Sequence, residues 1–378
     1  MGPDGRRCFC LLSWVLMRAG PCGGARPRCQ LPRASHLERL RVSPAYRHTL
    51  NLGLELFTYW ETIYGAVDFA IPCDLIDERL KRFVNEAHAE GCKFHVVRAA
   101  VLGIQHRAPR LRHELPGTWH ALGGWASTLE WTPRVPFPAS VLLYAFLVSL
   151  QMAMGAGSGS LSRRWATVGC LLRLAFFALL RPGEALKLRP ADLHFGTDPS
   201  GAPVLIVAIK APKTRRVIGA GRNQSVLVKD LGTVLWLRYI VIGLDPSKPL
   251  WGLSQGAFRQ HFLSLMKYAG LTKGCFTPAS CRAGGATEMY VSGVSMEILA
   301  FRGRWMSLPS LRSYLQEGTA VLVWNRLARE VQARCKLAVV RFSFILERPP
   351  PSFAIWPEQW CLRLNALTDG RARRPPPS

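Results

Sequence analysis

The sequence predicts a mainly α-helical protein with one small antiparallel β-sheet, an α+β class in which an all-α N-terminal unit precedes a mixed unit. Three observations lead there. Amphipathic helical runs follow one another from about residue 45 to 105, with no convincing strand between them. A proline-rich segment at 132–138 then separates them from two long apolar helical stretches. Short β-branched runs are confined to residues 204–228, where turn formers divide them. A hydrophobic content of 49% with 10% aromatics is ample for real cores and excludes wholesale disorder.

Taken in order, residues 1–44 are rich in Arg, Gly, Pro and Cys and read as a flexible basic leader. Its basic start and the apolar run Cys8–Met17 have the outline of a signal peptide, but a good small-residue cleavage site is missing. An intracellular, nuclear protein is the expectation. In the all-α unit, 45–130, helices are predicted at His48–Ile63, Leu75–His88 and Phe94–Gln105. Thr132–Pro138 reads as a linker into a second unit spanning 135–335. The uncharged stretch Val141–Met154 is short against the roughly 20 residues a membrane span needs, so it reads as a buried core helix, a membrane span being the alternative. A helix from about Arg163 should stop at Arg181, because Pro182 disfavours α geometry in the residue before it. Val204–Ile209, Arg215–Ile218 and Ser225–Val228 are the predicted strands. Thr277 with Pro278 opens a helix that Gly293 ends, Ser295 opens another that stops near Gly303, and Ser307 with Pro309 opens a third carrying Arg312 and Tyr314. Residues 336–378 read as a Pro/Arg-rich tail.

The charge speaks to partners. Lys and Arg number 49 against 24 Asp and Glu, a net charge of +25, which suits a polyanion such as nucleic acid. The eleven cysteines form no CxxC pair and no zinc-finger spacing, so reduced thiols with no structural metal are expected. Walker loop, GxGxxG after a strand, HExxH and GxSxG are all missing, which removes the common nucleotide, zinc-protease and hydrolase classes.

What remains is a series of basic residues at predicted element ends, and one tyrosine. Arg181 is followed by Pro182, Gly183 and Glu184. Lys210 and Lys213 fall at the tip of a predicted β-hairpin. Arg282 sits in the first turn of a helix, where a cation opposes the dipole and a purely structural role is less comfortable. Gly303–Arg304–Trp305 precedes Tyr314, nine residues beyond the Trp. Each has an ordinary reading alone: a helix end, a solvated turn, a core aromatic.

As an ordered set they resemble the tyrosine recombinases, the phage-integrase family of DNA breaking–rejoining enzymes. That family carries an Arg in an R-x-x-E context, a Lys in a β-hairpin, an H-x-x-R box, a His or Trp, and a Tyr nine residues on. Here these positions are Arg181 with Glu184, Lys213, Arg282, Trp305 and Tyr314. The Arg–Gly–Gly–Ala–Thr and Gly–Arg–Trp contexts look most like the eukaryotic, retroelement-like branch. The resemblance covers about 135–330, and the 45–130 unit looks like the family's core-binding domain. It implies double-stranded DNA as partner, no cofactor or metal, and a homo-oligomer on DNA. Chemically, Tyr314 would attack a phosphodiester to give a 3′-phosphotyrosine, with Arg181 and Arg282 binding the non-bridging oxygens, Trp305 donating its indole N–H, and Lys213 protonating the leaving 5′-oxygen. Lys210 competes with Lys213 for that last role. One element departs from the pattern: Ala279 stands where the box has His, and His261 is the last histidine in the chain. A DNA-binding descendant with impaired catalysis is therefore the alternative.

Overall fold

A computed structural model describes residues 42–130, 134–210 and 224–346, with side chains to residue 342. It divides at Trp131/Thr132 into two compact units. Residues 1–41 of the predicted leader, the Lys213 turn, the Arg215–Ile218 run and residues beyond 346 lie outside the described residues, while the leader's last residue, Pro44, already opens the first helix.

The first unit is all helical: α1 Pro44–Tyr64, α2 Cys73–Ala89, α3 Phe94–Arg107 and α4 Pro116–Thr128. Ser43 caps α1 by accepting from the Tyr46 N–H. α1 packs on α3 and α2 on α4. Phe57, Trp60 and Phe83 interlock in the core, Phe57 meeting Phe83 edge-on with centroids 5.2 Å apart. The fourth helix was not predicted. Its first turn is capped from another helix, for Asp77 of α2 accepts the Gly117 and Thr118 N–H groups at 2.7 and 2.8 Å.

The second unit is built around α5, Ala139–Met154, which is buried on every side and packs against α6 (Gly159–Phe177). Among the described residues no helix is long and apolar enough to cross a membrane. The short α7, Pro182–Ala185, leads to an antiparallel sheet of β1 Leu193–Thr197, β2 Pro203–Ile209 and β3 Gln224–Val228, in that order. Leu205 pairs with Val228 and Val207 with Leu193, all facing the core, while Ile206 and Leu227 alternate outward. Then follow α8 Leu231–Ile240, α9 Gln255–Tyr268, α10 Ser280–Val291, α11 Met296–Gly303, α12 Leu308–Arg312, α13 Glu317–Arg326 and α14 Arg329–Leu346.

Several elements differ from expectation. α6 ends at Phe177 rather than running to Arg181, and Arg181 is the N-cap of α7, not a helix C-terminus. β1 was missed. α10 begins at Ser280, because Thr277 closes a turn with Ser280 (Ser280 N–H to Thr277 O, 2.9 Å) instead of capping the helix. The chain stays helical to Leu346, with Cys335 and Ala338 buried, well past the tail start drawn at 336.

A candidate anion site of three arginines and a tyrosine

The site starts at the end of α6. Leu180 N–H reaches back to Ala175 O (3.0 Å) and Leu179 N–H to Phe176 O (3.3 Å), a Schellman closure with Leu179 left-handed at φ 49°. Glycine is the usual residue there, and a left-handed non-glycine costs about 1–2 kcal/mol. The turn swings the Leu179 carbonyl inward, where it accepts from Arg282 Nη1 and from Arg304 Nη2. The end of α11 repeats the device: Trp305 N–H bonds to Ala300 O and Arg304 N–H to Phe301 O, with Arg304 left-handed at φ 58°. Two helices thus end in strained turns that face the same place, as backbone strain often does at functional sites.

Glu184, on α7, ties these ends together. Its carboxylate accepts from the Arg181 N–H at 3.0 Å, from Arg181 Nη1 at 2.8 Å and from Arg304 Nη2 at 3.0 Å. Burial raises its pKa, but Arg304 and the Arg181 backbone and guanidinium bonds outweigh this and hold it below the usual carboxylate value.

Arg282 projects from the first turn of α10 and is 1% exposed. Its Nη2 donates to Gly303 O at 2.6 Å, and its guanidinium lies 4.1 Å from the centroid of the Trp305 ring. Gly303 is required, since a Cβ there would lie 1.5 Å from the Trp305 ring. Burial, then the like charges of Arg181 and Arg304, push Arg282 below the ordinary arginine value; Arg304 is pushed the same way by burial and Arg181, partly offset by Glu184. Arg282 Nε and Arg304 Nε and Nη1 are buried without partners.

Tyr314 stands just past α12 rather than on it. Its N–H bonds to Leu311 O, and its carbonyl accepts from Thr287 Oγ1 of α10 at 3.1 Å. The ring meets Trp305 edge-on at 5.1 Å and lies 5.6 Å from the Arg282 guanidinium. Its hydroxyl accepts from Arg134 Nη1 at 2.5 Å.

The structure therefore brings together Arg181, Arg282, Trp305 and Tyr314. Lys213 lies outside the described residues, and Lys210 pairs with Asp192 at 2.5 Å. Ala279 is the N-cap of α10, where its methyl group offers no side-chain cap. His261 is on α9, its ring against Trp165 and Trp251 and its Nδ1 at 2.9 Å from Ala257 O. Two participants were missed. Arg304 was quoted in Gly–Arg–Trp without a role, and Arg134 was read as linker. Among the described residues no group of three or more His, Cys, Asp or Glu could hold a metal. Three guanidiniums facing one carboxylate leave the centre positive, and this arrangement can bind a tetrahedral oxoanion beside a phenol.

No family model matches the chain, and no curated protein does. Among solved structures, it is similar to the XerH site-specific recombinase bound to palindromic difH substrate, a post-cleavage complex, at 18% identity over 73% of this chain and 79% of that one, TM-score 0.47. It is similar to the Tn1549 transposon integrase in complex with transposon right end DNA, at 11% identity over 82% and 97%, TM-score 0.48. The XerA recombinase gives 13% identity over 83% and 95%, TM-score 0.35.

Proposed function

We propose that this protein cuts and rejoins double-stranded DNA through a covalent 3′-phosphotyrosine on Tyr314. The observation that carries the reading is the set of buried guanidinium N–H groups without acceptors on Arg282 and Arg304, with Arg282 beside the Tyr314 ring. Buried positive charge without matching counter-charge is costly, so a site in which Arg181, Arg282 and Arg304 share the single carboxylate of Glu184 is built for an anion that arrives later. A scissile phosphate supplies that charge. Arginine suits it because its planar fork binds two oxygens at once.

In the proposed step Tyr314 Oη gives up its proton to solvent water and bonds to phosphorus as the bond to the 5′-oxygen breaks. Arg181 and Arg282 hold the non-bridging oxygens, whose charge grows in the transition state. Trp305 donates its indole N–H. Lys213 gives its proton to the leaving 5′-oxygen, which departs as a hydroxyl. The phosphotyrosine keeps the bond energy, and attack by a 5′-hydroxyl reverses the step.

A second reading, a DNA-binding protein with impaired cleavage, is favoured by one observation: Ala279 carries no proton-transfer group at the start of α10. Trapping on a nicked duplex separates the two. The parent protein should form a covalent protein–DNA adduct, and Tyr314→Phe should bind the same duplex without forming one. Tight binding with no adduct from the parent would select the second reading, and an adduct persisting in the variant would remove Tyr314 from its role.

A further inference from the structure

Arg134 has no place in the chemistry so far. It is the third residue of the second unit and lies within a proline-rich arm that sequence alone marks as a spacer. In the structure that arm is clamped. Phe137 is fully buried, its N–H bonds to Ser280 O at 3.1 Å, and its ring stacks on Phe276 with centroids 4.2 Å apart. Gly284 of α10 lets the arm lie flat, for a Cβ there would stand 2.1 Å from Phe137 O. The arm is thus fixed to the helix that carries Arg282, with Pro136 and Pro138 limiting its freedom.

From this anchorage Arg134 reaches Tyr314. Its Nη1 donates to the hydroxyl oxygen, and its guanidinium carbon lies 5.0 Å from the ring centroid. A tyrosine hydroxyl has one hydrogen and two acceptor positions. Arg134 fills one acceptor position, which leaves the hydrogen and the other lone pair for the reaction. With Arg282 also near the ring, the phenol stands close to two guanidiniums.

We propose that Arg134 is a catalytic residue of the cleavage step, a fixed cationic donor to the attacking oxygen. The proposal rests on the reading of Tyr314 as nucleophile. As Oη loses its proton to solvent water and bonds to phosphorus, negative charge passes through that oxygen. A charge-assisted hydrogen bond already aimed at it stabilises this charge without reorganisation. Arginine accepts no proton, so Arg134 replaces the electrostatic share of what an imidazole at position 279 would supply, and not the proton transfer.

The test is single-turnover adduct formation on a nicked duplex at saturating DNA, with duplex affinity measured beside it. Arg134 is exposed, so Arg134→Ala should fold normally, and its melting curve checks this. Adduct formation by Arg134→Ala should slow by about 10²–10³-fold, the effect of removing one transition-state donor, with affinity little changed. Arg134→Lys, and Arg134→Ala given millimolar guanidinium ion, should recover part of the rate. A rate for Arg134→Ala equal to the parent's, or faster, would overturn the proposal, the faster rate marking Arg134 as a latch on the nucleophile. A loss confined to affinity would overturn it too, making Arg134 a DNA contact only. No adduct from the parent would fail the nucleophile reading itself and this proposal with it.

Discussion

Two buried arginines of the second unit, Arg173 and Arg282, invite comparison. Both are nearly inaccessible, at 3% and 1% exposure, and both lie against aromatic rings, Arg173 against Phe146, Phe177 and Phe342 and Arg282 against Trp305. Their charge balance separates them. Arg173 has its own carboxylate, Asp230, at 2.5 Å, and donates Nε to Thr233 Oγ1. Arg282 donates to two carbonyls, keeps Nε unpartnered, and shares the nearby Glu184 with Arg181 and Arg304. Burial by itself therefore says nothing of function. A buried cation supplied with a counter-charge belongs to the scaffold, and one left short of it marks a place where an anion is expected.

The sharpest way to break this comparison is to replace each arginine by methionine, which keeps most of the volume. Arg282→Met should lower single-turnover cleavage by about 10³-fold or more, since two phosphate donors go together. Its folding stability should change little, because the lost bonds to Leu179 O and Gly303 O are offset by relief of a charge that burial disfavours. A variant that unfolds at ordinary temperature would make Arg282 structural and overturn the distinction.

Arg173→Met should show the reverse. Removing one partner of a buried pair typically costs about 3–5 kcal/mol. Asp230 keeps the Thr233 N–H and hydroxyl and some exposure, so the lower end of that range is expected in urea unfolding. Cleavage by the folded fraction should stay near the parent's. Cleavage lost at full stability would show that charge balance does not sort these residues.

The same contrast explains what could be read ahead of the structure. The apolar periodicity of His48–Ile63 and Leu75–His88 marks helices because a helix's buried face is written in its own residues. Ser295 announces α11 for the same local reason, its hydroxyl accepting from the Ile298 N–H. Elements that depend on distant partners left no such trace. α4 contains Gly123 and Gly124 and is capped by Asp77 from another helix. β1, with His194 and Gly196 in a five-residue strand, exists through its pairing with β2. Within the candidate site, Arg181, Arg282, Trp305 and Tyr314 were singled out through the family resemblance that their order and spacing carry. Arg304 and Arg134 were not, because their roles arise from a left-handed turn at a non-glycine and from an arm clamped to α10. Neither has a local signal.

A third change works on the deficit at Arg282. Ala279→His would add, three residues before Arg282, the proton-transfer group that the first turn of α10 lacks. Acceleration of cleavage by about 10- to 100-fold is expected, at or below the lower end of the roughly 10²–10⁴-fold general acid–base range, because Arg134 already carries part of the electrostatic work. Overpacking could cost about 1–3 kcal/mol, so melting is followed in parallel. A folded, DNA-binding variant that cleaves no faster than the parent would mean that proton transfer does not limit the reaction.

The smallest effect concerns the carboxylate that serves too many cations. Glu184 is held below its usual pKa: burial opposes ionisation, and Arg304 and Arg181 together overcome it. A carboxyl depressed in the folded state contributes stability that is complete above its unfolded pKa, about 4.3, and is lost as pH falls through the lower folded value. Glu184→Gln removes this contribution and keeps the shape. The parent should therefore be more stable than the variant at pH 7, and the gap should narrow on acidification through the carboxylate range, as read from urea unfolding at each pH. In Arg282→Met one of the cations that crowd this carboxylate is gone, yet Arg181 and Arg304 still contact it, so the narrowing should persist in that background. A gap that stays constant with pH would mean that Glu184 acts through its hydrogen-bond geometry alone, and the site would then hold its arginines without using charge to do so.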